Sequence, residues 1–412
     1  MRVDADDFAR PCSCGREHHI DVKEIVIESG AIGKLEEEMS DGDLREYISP
    51  LLICDTNSYK ATEELMEDIY DRCQVLILDA EGLEADDRAV EIVENYMEED
   101  IDLVLAVGAG TIHDLSRFVA HQYRIPFVSV PTAASSDGFT STVADMTWNG
   151  VKKAVAASAP LFVFADTDIF AKAPKRLTAA GVSDILGKYI ALADWKIASI
   201  LSEEYYCAEV VNLETRAVRT VKDNLKEIAA GEEEACEKLM YALVLSGLAM
   251  QMTGNSRPAS GAEHHLVHLW DMEVVNGHLD ALHGEKVSGG TMLVLLEYKK
   301  IADAIRRGTC KVHTCTEEDQ ELLKETFGKK GILGALEKEN TPELSDALPR
   351  ILKIIDALPA VTDMQEMMNT AGCVSRVRDI GLPGEVIEES LLLAPYTRRR
   401  LSLLRLRKML TY

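Results

Sequence analysis

The sequence predicts an α/β domain built on a mainly parallel sheet, followed by an all-helical domain. Two observations carry this. Up to about residue 165, short and continuously apolar runs alternate with helical segments, the pattern of a parallel sheet covered on both faces. Beyond Pro174 the periodicity is helical throughout and no strand pattern recurs. The expected division is an extension over 1–22, an α/β domain over 23–170 and a helical domain over 171–412.

The first strand is EIVIE at Glu24–Glu28, and Ser29-Gly30-Ala31 opens a helix running through Glu38. Leu51–Cys54 is the second strand, ending in Asp55, and an acid-rich helical segment follows over 61–71. Val75–Leu78 is the third strand, with an amphipathic helix over 86–97. Leu103–Val107 runs into Gly108-Ala109-Gly110-Thr111 and then a helix to about His121. Pro126–Val130 leads into a loop of small residues, Thr132 to Gly138, and Asn149-Gly150 marks a hairpin before a last strand at Leu161–Ala165. The helical half reads as segments over 178–200, 205–230, 235–252, 262–271, 284–304, 319–327, 349–357 and 364–369. The basic tail from Tyr396 to Lys408 is expected to cap helices or dock internally.

A chain of 412 residues exceeds one small core, so two domains are natural. With 44 Lys and Arg against 70 Asp and Glu, the formal charge of -26 opposes nucleic acid and anionic membranes. It does not oppose a small anion held by local donors. No apolar run reaches membrane length and the first residues lack a signal peptide's apolar core, so a cytoplasmic protein is expected. The nine cysteines read mostly as reduced packing residues. Cys12 and Cys14, followed by His18 and His19, can be read as a small metal site, but their spacing fits no common zinc pattern, and otherwise the extension has no assigned role.

Polar chemistry concentrates between Pro258 and Ser288, which holds His264, His265, His268, His278 and His283 of the chain's ten histidines. On a helix, His264 and His268 share one face. Gly284 beside His283 gives the backbone room to approach a ligand. Neutral imidazoles favour a divalent metal, and Asp184, in GVSDILGK, adds a carboxylate, although an Asp there also suits a helix N-cap. Asp184, His264 and His283 together make three ligands with open positions, as a catalytic metal needs. The strand–GAGT–helix turn suits a pyrophosphate, through small residues and helix N-terminal amides, yet lacks the full G-x-G-x-x-G pattern and equally fits a tight turn without a ligand.

The combination of GAGTIHD, VPTAASSDGFTS, GVSDILGK, SRPASGAEHH and LHGEKVS resembles the sn-glycerol-1-phosphate dehydrogenases, in the superfamily of iron-containing alcohol dehydrogenase, glycerol dehydrogenase and dehydroquinate synthase. The likeness runs from about residue 20 to the C-terminus. It implies a dehydroquinate synthase-like fold: a Rossmann-like α/β domain, a helical domain, and an active site in the cleft between them. It implies NAD or NADP contacts at Gly108, Gly110, Thr111, Ile112, His113, Asp114, Thr132, Ala133, Ala134, Ser135 and Ser141. It implies one divalent metal (zinc, nickel or iron) on Asp184, His264 and His283, and substrate contacts at Asp137, Asp184 and His268, with Asp184 and His268 catalytic. Ala109 stands where the family usually has Gly, and His265 beside His264 leaves a one-residue ambiguity that the spacing to His268 resolves toward His264.

The reaction implied is reversible NAD(P)H-linked reduction of dihydroxyacetone phosphate to glycerol 1-phosphate, by a homo-oligomer with no nucleic-acid partner and no membrane span. A glycerol or other polyol dehydrogenase, or a dehydroquinate synthase-like lyase, would share fold and cofactor. Asp55 at a strand end hints at a ribose hydroxyl acceptor and so at NAD. Lys153, Lys188, Arg257 and Lys286 lie close enough to the motifs to be candidate donors to the phosphate.

Overall fold

The structure is a computed structural model and describes residues 2–4, 8, 11–313, 320–328 and 344–412. In chain order the strands are β1 (Arg2–Asp4), β2 (Glu24–Glu28), β3 (Pro50–Asp55), β4 (Gln74–Leu78), β5 (Leu103–Gly108), β6 (Phe127–Pro131), β7 (Val143–Trp148), β8 (Val151–Ala156) and β9 (Phe162–Asp166). Seven of them form one sheet in the order β1-β2-β9-β6-β5-β3-β4. All pairings in it are parallel except β1 with β2. Between them lie α1 (Ala31–Ser40), α2 (Thr56–Thr62), α3 (Glu67–Tyr70), α4 (Asp87–Glu94) and α5 (Gly110–Tyr123).

Every residue of β5, β6 and β9 is buried, because both sheet faces are covered. On one face Leu51, Ile53, Val104 and Ala106 pack with α4 and α5 residues such as Val90, Leu115 and Val119. On the other, Val26, Leu52, Leu105 and Val128 pack with Ile32 and Leu35 of α1. The hairpin β7–β8 closes at Asn149 and Gly150, both at positive φ (51° and 71°), as a tight two-residue turn requires.

The helical region comprises α6 (Thr167–Phe170), α7 (Lys175–Leu201), α8 (Ala208–Lys222), α9 (Leu225–Ala230), α10 (Glu233–Thr253), α11 (Ala262–Asp271), α12 (His283–Arg306), α13 (Gln320–Gly328), α14 (Leu348–Asp356), α15 (Val361–Thr370), α16 (Ile387–Leu393) and α17 (Leu403–Leu406). Helices α7 and α10 are buried nearly all round, which is why they carry so few charges on any face. The residue before helix α11, Gly261, has no side chain to cap it. Asp194 of α7 supplies the cap instead: its Oδ2 accepts from Ala262 N at 2.9 Å, while Oδ1 accepts from Tyr298 of α12 (2.6 Å) and Leu403 N (2.9 Å). One buried carboxylate thus ties α7, α11, α12 and the C-terminal tail together. Burial pushes it up to about 6, against the bonds from Tyr298 and Leu403.

Some expectations are corrected. The segment over 61–71 is not one helix, since α2 ends at Thr62 and α3 covers only Glu67–Tyr70. The segment over 205–230 breaks at Asp223-Asn224, between α8 and α9. Two short ladders escaped the sequence reading: β1 pairs with β2, and Lys311–Val312 (β10) pairs with Leu410–Thr411 (β11) inside the helical region. Three-residue and two-residue strands carry too little periodicity to read. Residue 319, expected to open a helix, lies outside the described residues. The basic tail does dock internally, with Leu403, Leu404 and Leu406 buried and Arg407 paired to Glu297 at 2.6 Å. Among the described residues, no helix is long and apolar enough to cross a membrane.

Candidate active site

Three helices deliver the Asp-His-His group. Asp184 comes from the middle of α7, His264 from the first turn of α11, and His283 is the first residue of α12. Their ligating atoms all lie within 4.8 Å of one another. His264 Nε2 is 3.8 Å from Asp184 Oδ1, and the two imidazole centroids are 5.3 Å apart. Asp184 lies mid-helix and is fully buried, so the N-cap reading of this residue is excluded.

The close approach of these helices depends on two glycines. A Cβ on Gly284 would overlap the Ala180 backbone of α7, and one on Gly181 would overlap the Ala134 carbonyl. The expectation that Gly284 faces a ligand is therefore corrected: it faces the helix that carries Asp184. Close packing at Gly284 holds His283 against α7, and at Gly181 it seats α7 on the Thr132–Ser136 loop.

Around the group the polar atoms are ordered. His264 Nδ1 donates to Glu263 Oε1 at 2.8 Å, which fixes the tautomer and leaves Nε2 bare toward Asp184. Burial holds the His264 ring neutral, down to about 3, with the Lys188 charge adding to the effect. Burial pushes Glu263 up to about 7. Lys188, one helical turn after Asp184, sits 2.7 Å from Asp184 Oδ1 and 2.7 Å from Asp137 Oδ2. Burial alone would raise Asp137, but the Lys188 charge and hydrogen bond outweigh it and hold this carboxylate low. The Asp137 amide donates to Asp184 Oδ2 at 3.0 Å, so the loop after β6 is bonded directly to α7. Ser246 of α10 donates to Asp137 Oδ2 (2.8 Å) and lies 3.0 Å from Glu214 Oε1 of α8. Burial pushes Glu214 up to about 8.

His268, one turn beyond His264, is buried, and neither of its ring nitrogens has a hydrogen-bond partner among the described residues. Burial, then the Arg398 charge, holds it well below the ordinary imidazole value. Asp145 and Lys152 of the β7–β8 hairpin also act on it, and Arg398 reaches Asp145 at 3.4 Å. His265 points into a different environment, close enough to Arg398, Arg400, Arg257 and Arg405 to feel their charges. The choice of His264 over His265 thus follows from which ring reaches Asp184. His278 is exposed and pairs with Glu273 at 3.0 Å.

The turn Gly108-Ala109-Gly110 lies at the C-terminal end of β5 and opens α5, with no side chain capping the helix, so its first amides are available to an anion. The Thr132 amide donates to Gly108 O at 3.0 Å, and a Cβ on Gly110 would come within 3.0 Å of Ser136 Oγ. The two loops named in the sequence are therefore adjacent, at the strand ends where open α/β sheets hold ligands. Thr111 and Asp114 are half-buried, and burial raises Asp114 to about 7 although Arg117 opposes this. Ile112, Thr132, Ala133, Ala134 and Ser135 are buried.

Three of the residues expected to contact the cofactor have side chains bonded within the protein. The His113 ring is fully buried beneath the turn, bonded to Ala109 O (2.9 Å) and Ser129 Oγ (2.8 Å), and so supports the turn. The Ser141 hydroxyl is buried and accepts from Val143 N at 3.0 Å. Asp55 Oδ1 caps α2, accepting from Asn57 N and Ser58 N at 2.8 Å each. Of the candidate phosphate donors, Lys153 is exposed, Lys188 bridges the two aspartates, Arg257 pairs with Glu204 and Lys286 with Asp271. Residues that the sequence reading missed do more here: Glu263, Glu214, Ser246, Lys152, Arg398, and Arg117. Buried Arg117 binds the Ser141, Gly138 and Val143 carbonyls and so shapes the loop before the hairpin. Its one signal is a cation one helical turn after His113 and Asp114.

The profile of the family described as iron-containing alcohol dehydrogenase matches residues 26–174. A Geobacillus stearothermophilus protein named glycerol-1-phosphate dehydrogenase (NAD(P)+) is 33% identical over 393 residues, which is 93% of this chain and 92% of that one. A Halalkalibacterium halodurans protein of the same name is 33% identical over 409 residues, 97% of this chain and 96% of that one. Among solved structures, an iron-containing alcohol dehydrogenase from Corynebacterium glutamicum shares the fold, with a TM-score of 0.64 at 15% identity over 95% of both chains. With the Asp-His-His group and the strand-end loops in place, the chain belongs to the glycerol-1-phosphate dehydrogenase family of the iron-containing alcohol dehydrogenases.

Proposed function

We propose that the protein catalyses the reversible NAD(P)H-linked reduction of dihydroxyacetone phosphate to sn-glycerol 1-phosphate. The observation that carries this is the convergence of Asp184, His264 and His283 beside a buried His268 with no hydrogen-bond partner. Asp184, His264 and His283 would hold a divalent ion that would supply Lewis acidity, and the Gly108–Asp114 turn and the Thr132–Ser135 loop would hold NAD(P)H, which would supply the hydride.

The chain's own groups do the rest. Glu263 orients His264, and Lys188 fixes the spacing of Asp184 and Asp137 so that Asp137 can accept a bond from a substrate hydroxyl. His268 stays neutral through burial, so it acts as a hydrogen-bond donor or a relay to water rather than as a cationic acid. Lys152 and Arg398 offer the substrate phosphate the cationic surroundings that the chain's net charge otherwise denies it. We place the enzyme in the cytoplasm, a compartment that keeps free thiols such as Cys54, Cys73 and Cys236 reduced.

The test is reduction of dihydroxyacetone phosphate with NADH or NADPH after chelation and re-addition of zinc, nickel or iron, with product chirality determined and glycerol as the comparison substrate. Asp184→Asn and His283→Ala should lose both metal and activity. Folded variants that lose neither would overturn the reading.

A further inference from the structure

The N-terminal extension holds a second cluster of ligating groups, made from residues that the active site does not use. Cys12, Cys14 and His18 meet Cys207, which lies just before α8 and 189 residues beyond His18. Their ligating atoms lie within 4.8 Å of one another. The individual contacts are tighter: Cys12 Sγ to Cys207 Sγ 3.5 Å, Cys14 Sγ to His18 Nε2 3.5 Å, and Cys207 Sγ to His18 Nε2 3.5 Å. A zinc tetrahedron with ordinary zinc–sulfur and zinc–nitrogen bonds has edges of about 3.5–3.8 Å. A disulfide would need the sulfurs about 2 Å apart.

We infer that Cys12, Cys14, His18 and Cys207 hold a structural zinc ion, separate from the Asp184, His264 and His283 group. The orientation of each ligand supports it. His18 Nδ1 lies 2.6 Å from the Met252 carbonyl, which can only accept, so Nδ1 carries the proton and the bare Nε2 faces the sulfurs. Gly15, at φ 81°, turns the chain directly after Cys14, and its amide closes on the Cys12 carbonyl at 3.0 Å, which brings both thiols of the Cys-Ser-Cys segment to one side. The Tyr205 hydroxyl lies 3.2 Å from Cys14 Sγ as an outer donor, and the Arg16 guanidinium covers the Tyr205 ring at 3.6 Å. Cys207 and His18 are buried, and Cys12 and Cys14 are half-buried.

The donor sets of the two clusters differ in kind. Three thiolates and an imidazole fill a tetrahedron, which is the signature of a closed, structural zinc site. Binding would release the thiol protons and staple the extension onto the start of α8 and the end of α10. The staple is continued by the Asp21 amide, which donates to Gln251 Oε1 at 2.9 Å. Gln251 in turn donates to the Thr140 carbonyl, in the stretch that Arg117 shapes.

The test uses the full chain purified without chelator. Zinc per chain is measured by elemental analysis, and cobalt-exchanged protein is examined for a thiolate-to-cobalt charge-transfer band, which a site of carboxylate and imidazoles cannot give. The band is expected in the wild type and in Asp184→Asn, and its loss in Cys207→Ser together with one equivalent of zinc. Because Cys207→Ser can fail to fold, zinc release from the wild type is also followed on titration with a thiol-selective mercurial, with one zinc expected as these thiols react. Wild-type protein with no thiolate band and no mercurial-released zinc, whether its thiols are free or Cys12 is found joined to Cys207, would overturn the inference. A failure there leaves the active-site reading untouched, since that reading is scored on Asp184 and His283.

Discussion

Replacing Gly284 by Ala probes how closely α12 must approach α7. The added Cβ would stand 2.6 Å from Ala180 Cα, whereas unstrained carbon–carbon contacts lie at about 3.5–4.0 Å. The helices must therefore part by roughly 1 Å at the residue next to His283. In an unconstrained helix, Gly to Ala gains about 1 kcal/mol from propensity. Overpacking costs about 1–3 kcal/mol. A net loss of about 0–2 kcal/mol is thus expected, while the shift is felt in full by the ligand set. A misplacement of about 1 Å costs on the order of 100-fold in rate. The expected outcome is a folded variant whose melting temperature moves by a few degrees at most, with kcat/KM for dihydroxyacetone phosphate down roughly 100-fold and weakened metal retention on dialysis. Gly277→Ala is the control, because nothing lies within 4 Å of a Cβ there. If Gly284→Ala keeps metal and activity within twofold of Gly277→Ala, the close approach does not position His283 and the reasoning fails.

Three further outcomes follow from the buried charges. Lys188→Met leaves Asp137 and Asp184 without their shared cation, and loss of one partner from a buried ion group costs about 3–5 kcal/mol. Urea unfolding of the chelated protein should show that loss, and added metal should recover part of it. Glu214→Gln tests the carboxyl that burial raises to about 8. Its folded value lies above the unfolded one of about 4.3, so its stabilising contribution is complete below that pH and is lost as pH rises toward 8. The wild type should lose about 1.4 kcal/mol per pH unit more than Glu214→Gln across this window; identical slopes would refute the assignment. Arg398→Ala should raise KM for dihydroxyacetone phosphate about tenfold or more, by loss of a charge-assisted contact worth about 1.5–3 kcal/mol, with a smaller change in kcat. An unchanged KM would remove Arg398 from the phosphate's surroundings.

What could be read from the sequence is what is local. The apolar runs of β3, β5, β6 and β9 and the helix over 262–271 are legible because each lies within one period-bearing stretch bounded by Gly, Pro or small residues. Asp184, His264 and His283 were found through motifs, and the structure brings them together. The remainder was hidden because it depends on distance in sequence. Cys207 is a lone cysteine in its stretch of sequence, just before α8, and nothing near it in sequence points to His18. Arg398 lies 253 residues from the Asp145 it approaches. His113, a histidine in the midst of the cofactor motif, gives no local sign that its ring turns inward to Ser129.

The sheet order has a consequence for how the chain reaches this state. Strand β2 finds no parallel neighbour among the strands that follow it directly; its partner is β9, with Glu24 opposite Phe162. Closing a loop of that length costs about 4 kcal/mol in chain entropy before any pairing is gained. β3, β5 and β6 can assemble over much shorter separations, whereas β2 and the α1 face it covers must wait for the last strand. Folding of this half should therefore be slow and late-committing, with β2–β9 docking as the step that completes it.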